Sequence, residues 1–184
     1  MNGRGDRLQD KWGSINNTMK KHQIAILGIQ ETHPCDKMQE VIGRRFRNTM
    51  HIIHSADPEA PNTTGGVSIA LQKSMIDIKN VSHCIIIPGR VIMADIPCNE
   101  NNRLRIMNIY APAKNAEKTD FWKSILRIIE RDENLRPDVV VGDFNLIENP
   151  EIDRLRNSGR ANPQTAREAM SEFNVELNLA DGWR

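Results

Sequence analysis

Val139-Val140-Val141-Gly142-Asp143-Phe144-Asn145 is the stretch from which the rest of the chain is read. Three β-branched residues in a row, two positions after Pro137, predict a short strand buried on both faces, and the strand breaks off in a glycine, an acid and an amide. The pattern occurs a second time upstream. Ile24-Ala25-Ile26-Leu27-Gly28-Ile29 is a nearly continuous apolar run that empties into Gln30-Glu31-Thr32-His33 before Pro34. A third predicted strand, Leu104 to Tyr110, carries Asn108 and Tyr110 to its end at Ala111-Pro112. Apolar strands ending in acids, amides and a phenol set polar chemistry along sheet edges, where a cleft can form.

The segments around these strands alternate in period. Leu8, Trp12, Ile15 and Met19 recur at helical spacing after Asp6, a candidate N-cap, and Lys20-Lys21-His22 suits the negative end of that helix. Asp36 to Arg47 predicts a second helix, with Met38, Val41, Ile42 and Phe46 on its apolar side. Short extended runs follow at His51 to His54, Val67 to Leu71, Cys84 to Ile87 and Val91 to Ile96, separated by Pro, Gly and Asn. Phe121, Trp122, Ile125, Leu126 and Ile129 restore the helical period, and Ala166, Ala169, Met170, Phe173 and Leu177 mark a last helix behind Asn162-Pro163. Neither an internal repeat nor a linker divides the chain, so residues 1–184 read as one α/β domain of mixed sheets covered by helices.

Composition excludes several classes. Hydrophobic residues at 39% and charged residues at 27% lie near globular averages, which argues against disorder. Apolar runs such as Ile24 to Leu27 fall far short of the roughly 20 residues of a membrane span, and the start lacks a secretory pattern, so an intracellular protein without membrane association is expected. Cys35, Cys84 and Cys98 form no CxxC pair and read as free thiols. With 25 basic against 24 acidic residues the net charge of +1 selects no partner. The clusters Lys20-Lys21, Arg44-Arg45-Arg47, Arg103/Arg105 and Arg154/Arg156/Arg160 read first as solvated surface.

The chemistry gathers at the strand ends. Carboxylate oxygens at Glu31 and Asp143 suit a hard cation such as Mg²⁺ held beside a phosphate, whereas either acid alone would be read as a turn cap. Asn108 and Tyr110 add an amide and a phenol able to bond a phosphate oxygen. Other clusters carry less. His51 and His54, three apart on a strand, face opposite ways; Asp57 to Gly66 reads as a surface connection; Glu148, Glu151 and Asp153 read as a solvated acidic loop.

Taken in order, Asn2-Gly3, Gln30-Glu31-Thr32-His33, Gly65-Gly66-Val67, Asn108-Ile109-Tyr110-Ala111-Pro112 and Gly142-Asp143-Phe144-Asn145 resemble the endonuclease/exonuclease/phosphatase superfamily. Within it the sequence is most similar to the apurinic-like endonuclease domain of non-LTR (LINE-type) retrotransposons, a likeness that includes Asp10-Lys11-Trp12 and Asp181-Gly182-Trp183-Arg184 and covers essentially the whole chain. The resemblance implies a four-layer, DNase I-like α/β sandwich and metal-dependent hydrolysis of DNA phosphodiesters with Mg²⁺ or Mn²⁺. It implies Glu31 as the principal metal ligand with Asn2 close to the metal, Asp143 as the residue that orients or deprotonates the attacking water, and Asn145 as the residue holding Asp143 and a phosphate oxygen. Tyr110 would bond the phosphate, with Asn108 and Gly66 on the substrate side. DNA is the implied partner, a monomer the implied state and the nucleus the implied compartment, with a reverse transcriptase that the family carries and this sequence lacks.

Departures from the family pattern set a further expectation. Met1 leaves no room for the strand that precedes the Asn-Gly pair, and the sequence stops before the family's further aspartate and its Ser-Asp-His ending. A partial domain with little or no activity is therefore expected. Two other readings stay open: a phosphoesterase acting on a small phosphoester, since inositol-phosphate phosphatases and sphingomyelinases share these motifs, and a non-catalytic retroelement remnant that at most binds nucleic acid.

Overall fold

The computed structural model describes residues 3–32, 36–59, 61, 65–99, 101–147 and 163–182. Helix α1 (Gly3–His22) leads into strand β1 (Ile26–Gln30), helix α2 (Asp36–Phe46) and strands β2 (Met50–Ser55) and β3 (Val67–Gln72). Strands β4 (Ser82–Ile87), β5 (Val91–Pro97) and β6 (Arg103–Tyr110) follow, then helix α3 (Asn115–Arg131), strand β7 (Val139–Asp143) and helix α4 (Gln164–Glu176). Helix α1 starts at Gly3, three residues before the expected cap at Asp6. No proline stands in that stretch to stop it.

Two sheets form. One is antiparallel in the order β1-β3-β2, and the other runs β4-β5-β6-β7, antiparallel except for the β6–β7 pair. That parallel pair is what a crossover through α3 produces.

Three apolar clusters separate four layers. Trp12, Met19, Ile42 and Phe46 of α1 and α2 pack with Met50 and Ala70 of the first sheet. Ile53, Val67, Ile69 and Leu71 meet Ile92, Ala94, Ile96 and Ile106 between the sheets. Met93, Met107 and Ile109 on the far face of the second sheet pack with Trp122, Ile125 and Phe173 of α3 and α4. Trp122 anchors this last cluster, with Phe121, Phe144 and Phe173 around it at ring-centroid distances of 5.6, 5.7 and 5.2 Å. The order helix, sheet, sheet, helix is the sandwich the sequence leads one to expect.

The strands expected to be buried on both faces are not the most buried ones. Every residue of β3 is buried, because β3 is central in its sheet and covered on both sides. β1 is half-buried throughout, and in β7 Val139 is 39% exposed. Both lie at sheet edges, and continuity of apolar residues does not report an edge.

The two sheets approach closely where β1 crosses β6 and β7. A Cβ placed on Gly28 would sit 2.9 Å from Val141 Cγ2 and 3.0 Å from Asn108 Oδ1. Gly43, in α2, has nothing within 4 Å of the same construction. Substituting alanine at the two glycines should therefore act in opposite directions. Gly28→Ala should destabilise by about 1–3 kcal/mol through overpacking, and Gly43→Ala should stabilise by about 0.5–1 kcal/mol through helix propensity. Urea unfolding of both variants reads the two signs.

Candidate active site

The polar strand ends meet at one edge of the sandwich. Register in the second sheet sets Tyr110 opposite Asp143, and the main-chain N–H of Ala111 donates to the Asp143 carbonyl at 2.9 Å. From the first sheet, Glu31 follows the last residue of β1, and the Tyr110 hydroxyl donates to its Oε1 at 2.7 Å. Glu31 and Asp143 are exposed, and Tyr110 is half-buried between them.

Backbone conformation aims two of these side chains. Glu31 has φ 54° and Asn145 φ 48°, the left-handed region that a non-glycine residue seldom occupies. At Asn145 the turn is fixed from three directions. Its N–H donates to Asp143 Oδ1 at 3.0 Å, its Nδ2 donates to the Ala111 carbonyl at 2.8 Å, and its carbonyl accepts from Lys118 Nζ of α3. At Glu31 the next residue ties the turn down, Thr32 N–H donating to the Gly66 carbonyl at 3.3 Å. Gly142 is required just before the acid, since its φ is +147° and a Cβ there would fall 2.0 Å from the Ile109 carbonyl oxygen.

Below the exposed acids lies a buried polar layer. Asn108 is fully buried, and its Nδ2 donates to the carbonyls of Ile29 at 3.1 Å and Ser68 at 2.8 Å while its Oδ1 accepts from Gln30 Nε2 at 2.6 Å. This corrects the expectation that Asn108 faces the substrate, because its amide is committed to joining the sheets. Gly66 is corrected in the same way. Its N–H donates to the Gly89 carbonyl at 2.9 Å and its carbonyl accepts from Thr32, so its main chain closes a loop contact.

Asn145 grips Asp143 through its main-chain N–H, with the side-chain amide turned to Ala111. Asn2, His33 and the acids Glu148, Glu151 and Asp153 lie outside the described residues, as does the basic group Arg154, Arg156 and Arg160. His54 serves the interior, its Nδ1 lying 2.7 Å from Ser68 Oγ and 3.3 Å from Thr32 Oγ1.

Two cations that sequence reading passed over flank the acids. Lys118 is only 3% exposed, and burial lowers the pKa of its ammonium while the Asp143 charge raises it. Its spacing with Phe121, Trp122 and Ile125 on α3 was the available signal, since it falls on the inward side. The Arg90 guanidinium lies 4.9 Å above the Tyr110 ring.

Among the described residues no group of three His, Cys, Asp or Glu side chains is placed to hold a metal. The donor set still fits a hard, strongly hydrated ion. Mg²⁺ is ordinarily held by one or two carboxylates, with water and phosphate oxygens completing its shell, and Glu31 and Asp143 are exposed carboxylates at one strand-end cluster.

No family model matches the chain, and no curated protein does. Solved structures do match. The endonuclease domain of TRAS1, a telomere-specific non-LTR retrotransposon, is 16% identical, with a TM-score of 0.55 over 95% of this chain and 67% of that one. An endonuclease/exonuclease/phosphatase family protein from Bacteroides thetaiotaomicron is 14% identical, with a TM-score of 0.56 over 93% of this chain and 64% of that one. A humanized D. rerio TDP2 is 13% identical, with a TM-score of 0.53 over 77% and 61%. The chain thus carries the DNase I-like fold of these proteins and spans about two-thirds of their length. Among its described residues no helix is long and apolar enough to cross a membrane.

Tyr110 is the only tyrosine, so its titration can be followed alone. Its pKa is raised, first by burial, then by the hydrogen bond to Glu31 and the Glu31 charge, with Arg90 opposing. The phenol should therefore ionise above the ordinary value of about 10, and Glu31→Gln should move its midpoint back down without abolishing the whole shift. Absorbance at 295 nm against pH measures both. The sign for stability is that of a raised pKa: the contribution is complete below the unfolded-state value and is lost as pH climbs through the folded one.

Proposed function

We propose that this chain is an endonuclease/exonuclease/phosphatase-type domain that hydrolyses DNA phosphodiesters with Mg²⁺ or Mn²⁺, as a retroelement nicking endonuclease. The observation that carries the reading is the meeting of Glu31, Tyr110 and Asp143 from three strands of two sheets, with Asn145 locked against Asp143. The likeness to the TRAS1 endonuclease domain supports the nucleic-acid branch over a small phosphoester.

Each residue has a task its position suits. Glu31 would hold the metal, and Asn2, outside the described residues, would assist it. Bound there, the ion would neutralise charge on the scissile phosphate. Asp143 takes the proton of the attacking water or holds that water in line with the leaving oxygen. The Asn145 N–H occupies Asp143 Oδ1 and so leaves Oδ2 for the water. The hydroxyl of Tyr110, protonated at neutral pH as an ordinary phenol is, remains a donor for a phosphate oxygen. Lys118 acts through Asn145 by fixing the carbonyl of that turn.

The chain should nick supercoiled plasmid slowly in Mg²⁺, with EDTA stopping the reaction, and Glu31→Gln and Asp143→Asn should each lower the rate by at least about 100-fold. Agarose-gel conversion of supercoiled to open-circular DNA reads the outcome. DNA binding with no metal-dependent nicking would replace this reading with that of a binding remnant. Phosphate release from a soluble phosphoester without nicking would replace DNA with a small substrate.

A further inference from the structure

Glu31 is braced through both of its neighbours, on opposite faces of the first sheet. Gln30 is pinned on the face toward the second sheet, where its amide donates to Asn108. Thr32 turns to the other face. Its hydroxyl is met there by Ser68 of β3 and His54 of β2, which share a small cavity with Trp12 of α1 and Ile42 of α2. The left-handed turn at Glu31, φ 54°, is thus held from both ends, and the exposed carboxylate leaves the sheet between the two pins.

The second brace reaches across the whole sheet. His54 stands opposite Ser68 in the β2–β3 register, and Ser68 stands opposite Ile29 in the β1–β3 register, so the bridge starts on one edge strand and ends just beyond the other. Ser68 Oγ donates to Thr32 Oγ1 at 3.3 Å. A hydroxyl has a single hydrogen, so toward His54 Nδ1, 2.7 Å away, the same oxygen is the acceptor and the ring nitrogen the donor. Nδ1 also lies 3.3 Å from Thr32 Oγ1, the longer arm of a shared bond. Ser68 and Thr32 are buried, where no water replaces a lost partner. The main-chain bond at Thr32, to the Gly66 carbonyl, is long at 3.3 Å, so the side-chain bridge carries a share of the hold.

We infer that His54 is a positioning residue for metal binding at Glu31, acting through Ser68 and Thr32 and touching neither the ion nor the substrate. The inference rests on the reading of Glu31 as a metal ligand, and it adds to that reading the side chains that aim the carboxylate. Partners lying behind a ligand commonly change metal affinity by about 10- to 100-fold, because a carboxylate already oriented loses less freedom when the ion arrives.

The probe is Mn²⁺, titrated into the full chain and followed by loss of the free-ion EPR signal, with Glu31→Gln defining the uptake that belongs to this site. His54→Gln, whose amide reaches the place of Nε2, should weaken that uptake about tenfold. His54→Asn sets an amide nitrogen where Nδ1 stood and should recover most of the affinity. Thr32→Val cuts the bridge from its other end with little change of shape and should match His54→Gln; it serves as the test where His54→Gln does not fold. Ile52→Val loosens the same face of β2 without touching the bridge, so it should lower the melting temperature and leave Mn²⁺ affinity unchanged. A folded His54→Gln variant with unchanged affinity, His54→Asn no better than His54→Gln, or Ile52→Val as weak as either overturns the positioning role and leaves the hydrolase reading standing. Nicking without Glu31-dependent uptake of Mn²⁺ overturns the positioning role alone. An unchanged protein that neither takes up Mn²⁺ through Glu31 nor nicks plasmid overturns the hydrolase reading, and the positioning role goes with it.

Discussion

Asn108 is one amide shared by two sheets. Its side chain leaves β6 and donates to carbonyls of β1 and β3, while its oxygen receives the Gln30 amide from the end of β1. The contact needs a short separation between the sheets, and Gly28 allows it, since any side chain there would press on Asn108 and Val141. An unsatisfied buried amide costs roughly 1–3 kcal/mol, so an apolar residue at position 108 would untie β6 from the Ile29 and Ser68 carbonyls and leave the Gln30 amide without its acceptor. The polar bridge also fixes register. Gln30 precedes Glu31, and Tyr110 lies two residues beyond Asn108 on the same face of β6, so locking residue 30 to residue 108 brings residue 31 to residue 110. The exposed pair of the candidate site is a consequence of the buried pair beneath it.

The left-handed turns at Glu31 and Asn145 extend the same logic outward. Each costs backbone energy on the order of 1 kcal/mol, and each is held by bonds that a relaxed turn would forfeit. Asparagine tolerates the conformation better than glutamate does, so the heavier anchoring at residue 145 is not set by strain alone. Asn145 spends its own N–H, amide and carbonyl on holding its turn, whereas Glu31 leaves its carboxylate exposed and has its turn tied by Thr32. Strain of this kind is characteristic of residues whose direction matters more than their local comfort.

The sequence exposed the three strand ends because a strand that stops in an acid or amide breaks its own apolar pattern, and Glu31, Tyr110 and Asp143 all stand at such breaks. It also exposed the layers, through the alternation of helical and extended periods. It misjudged what depends on neighbours in space. Asn108 sits on an alternating strand next to Tyr110, and nothing local distinguishes an amide that faces a cleft from one that joins two sheets. The apolar runs of β1 and β7 suggested full burial, yet both strands lie at edges, because sheet order is a nonlocal property. Gly66 and Gly89 were legible as turn residues, but their mutual bond was not, since residues 66 and 89 belong to different sheets' loops. Lys118 was hidden by its helix, where a lysine is ordinarily solvent-facing.

Electrostatics give these positions a common meaning. Glu31 and Asp143 stand on either side of Tyr110, and both push its phenol toward the protonated form. A cation is stationed near each flank, Arg90 above the ring and Lys118 beneath the Asn145 turn, and neither forms a salt bridge with either acid. Tyr110 has a single proton to donate, and in this state Glu31 Oε1 receives it. That bond ties one exposed carboxylate to β6, while the other, Asp143, is tied at Oδ1 by the Asn145 N–H, so the two acids reach the rim of the cluster on separate internal anchors.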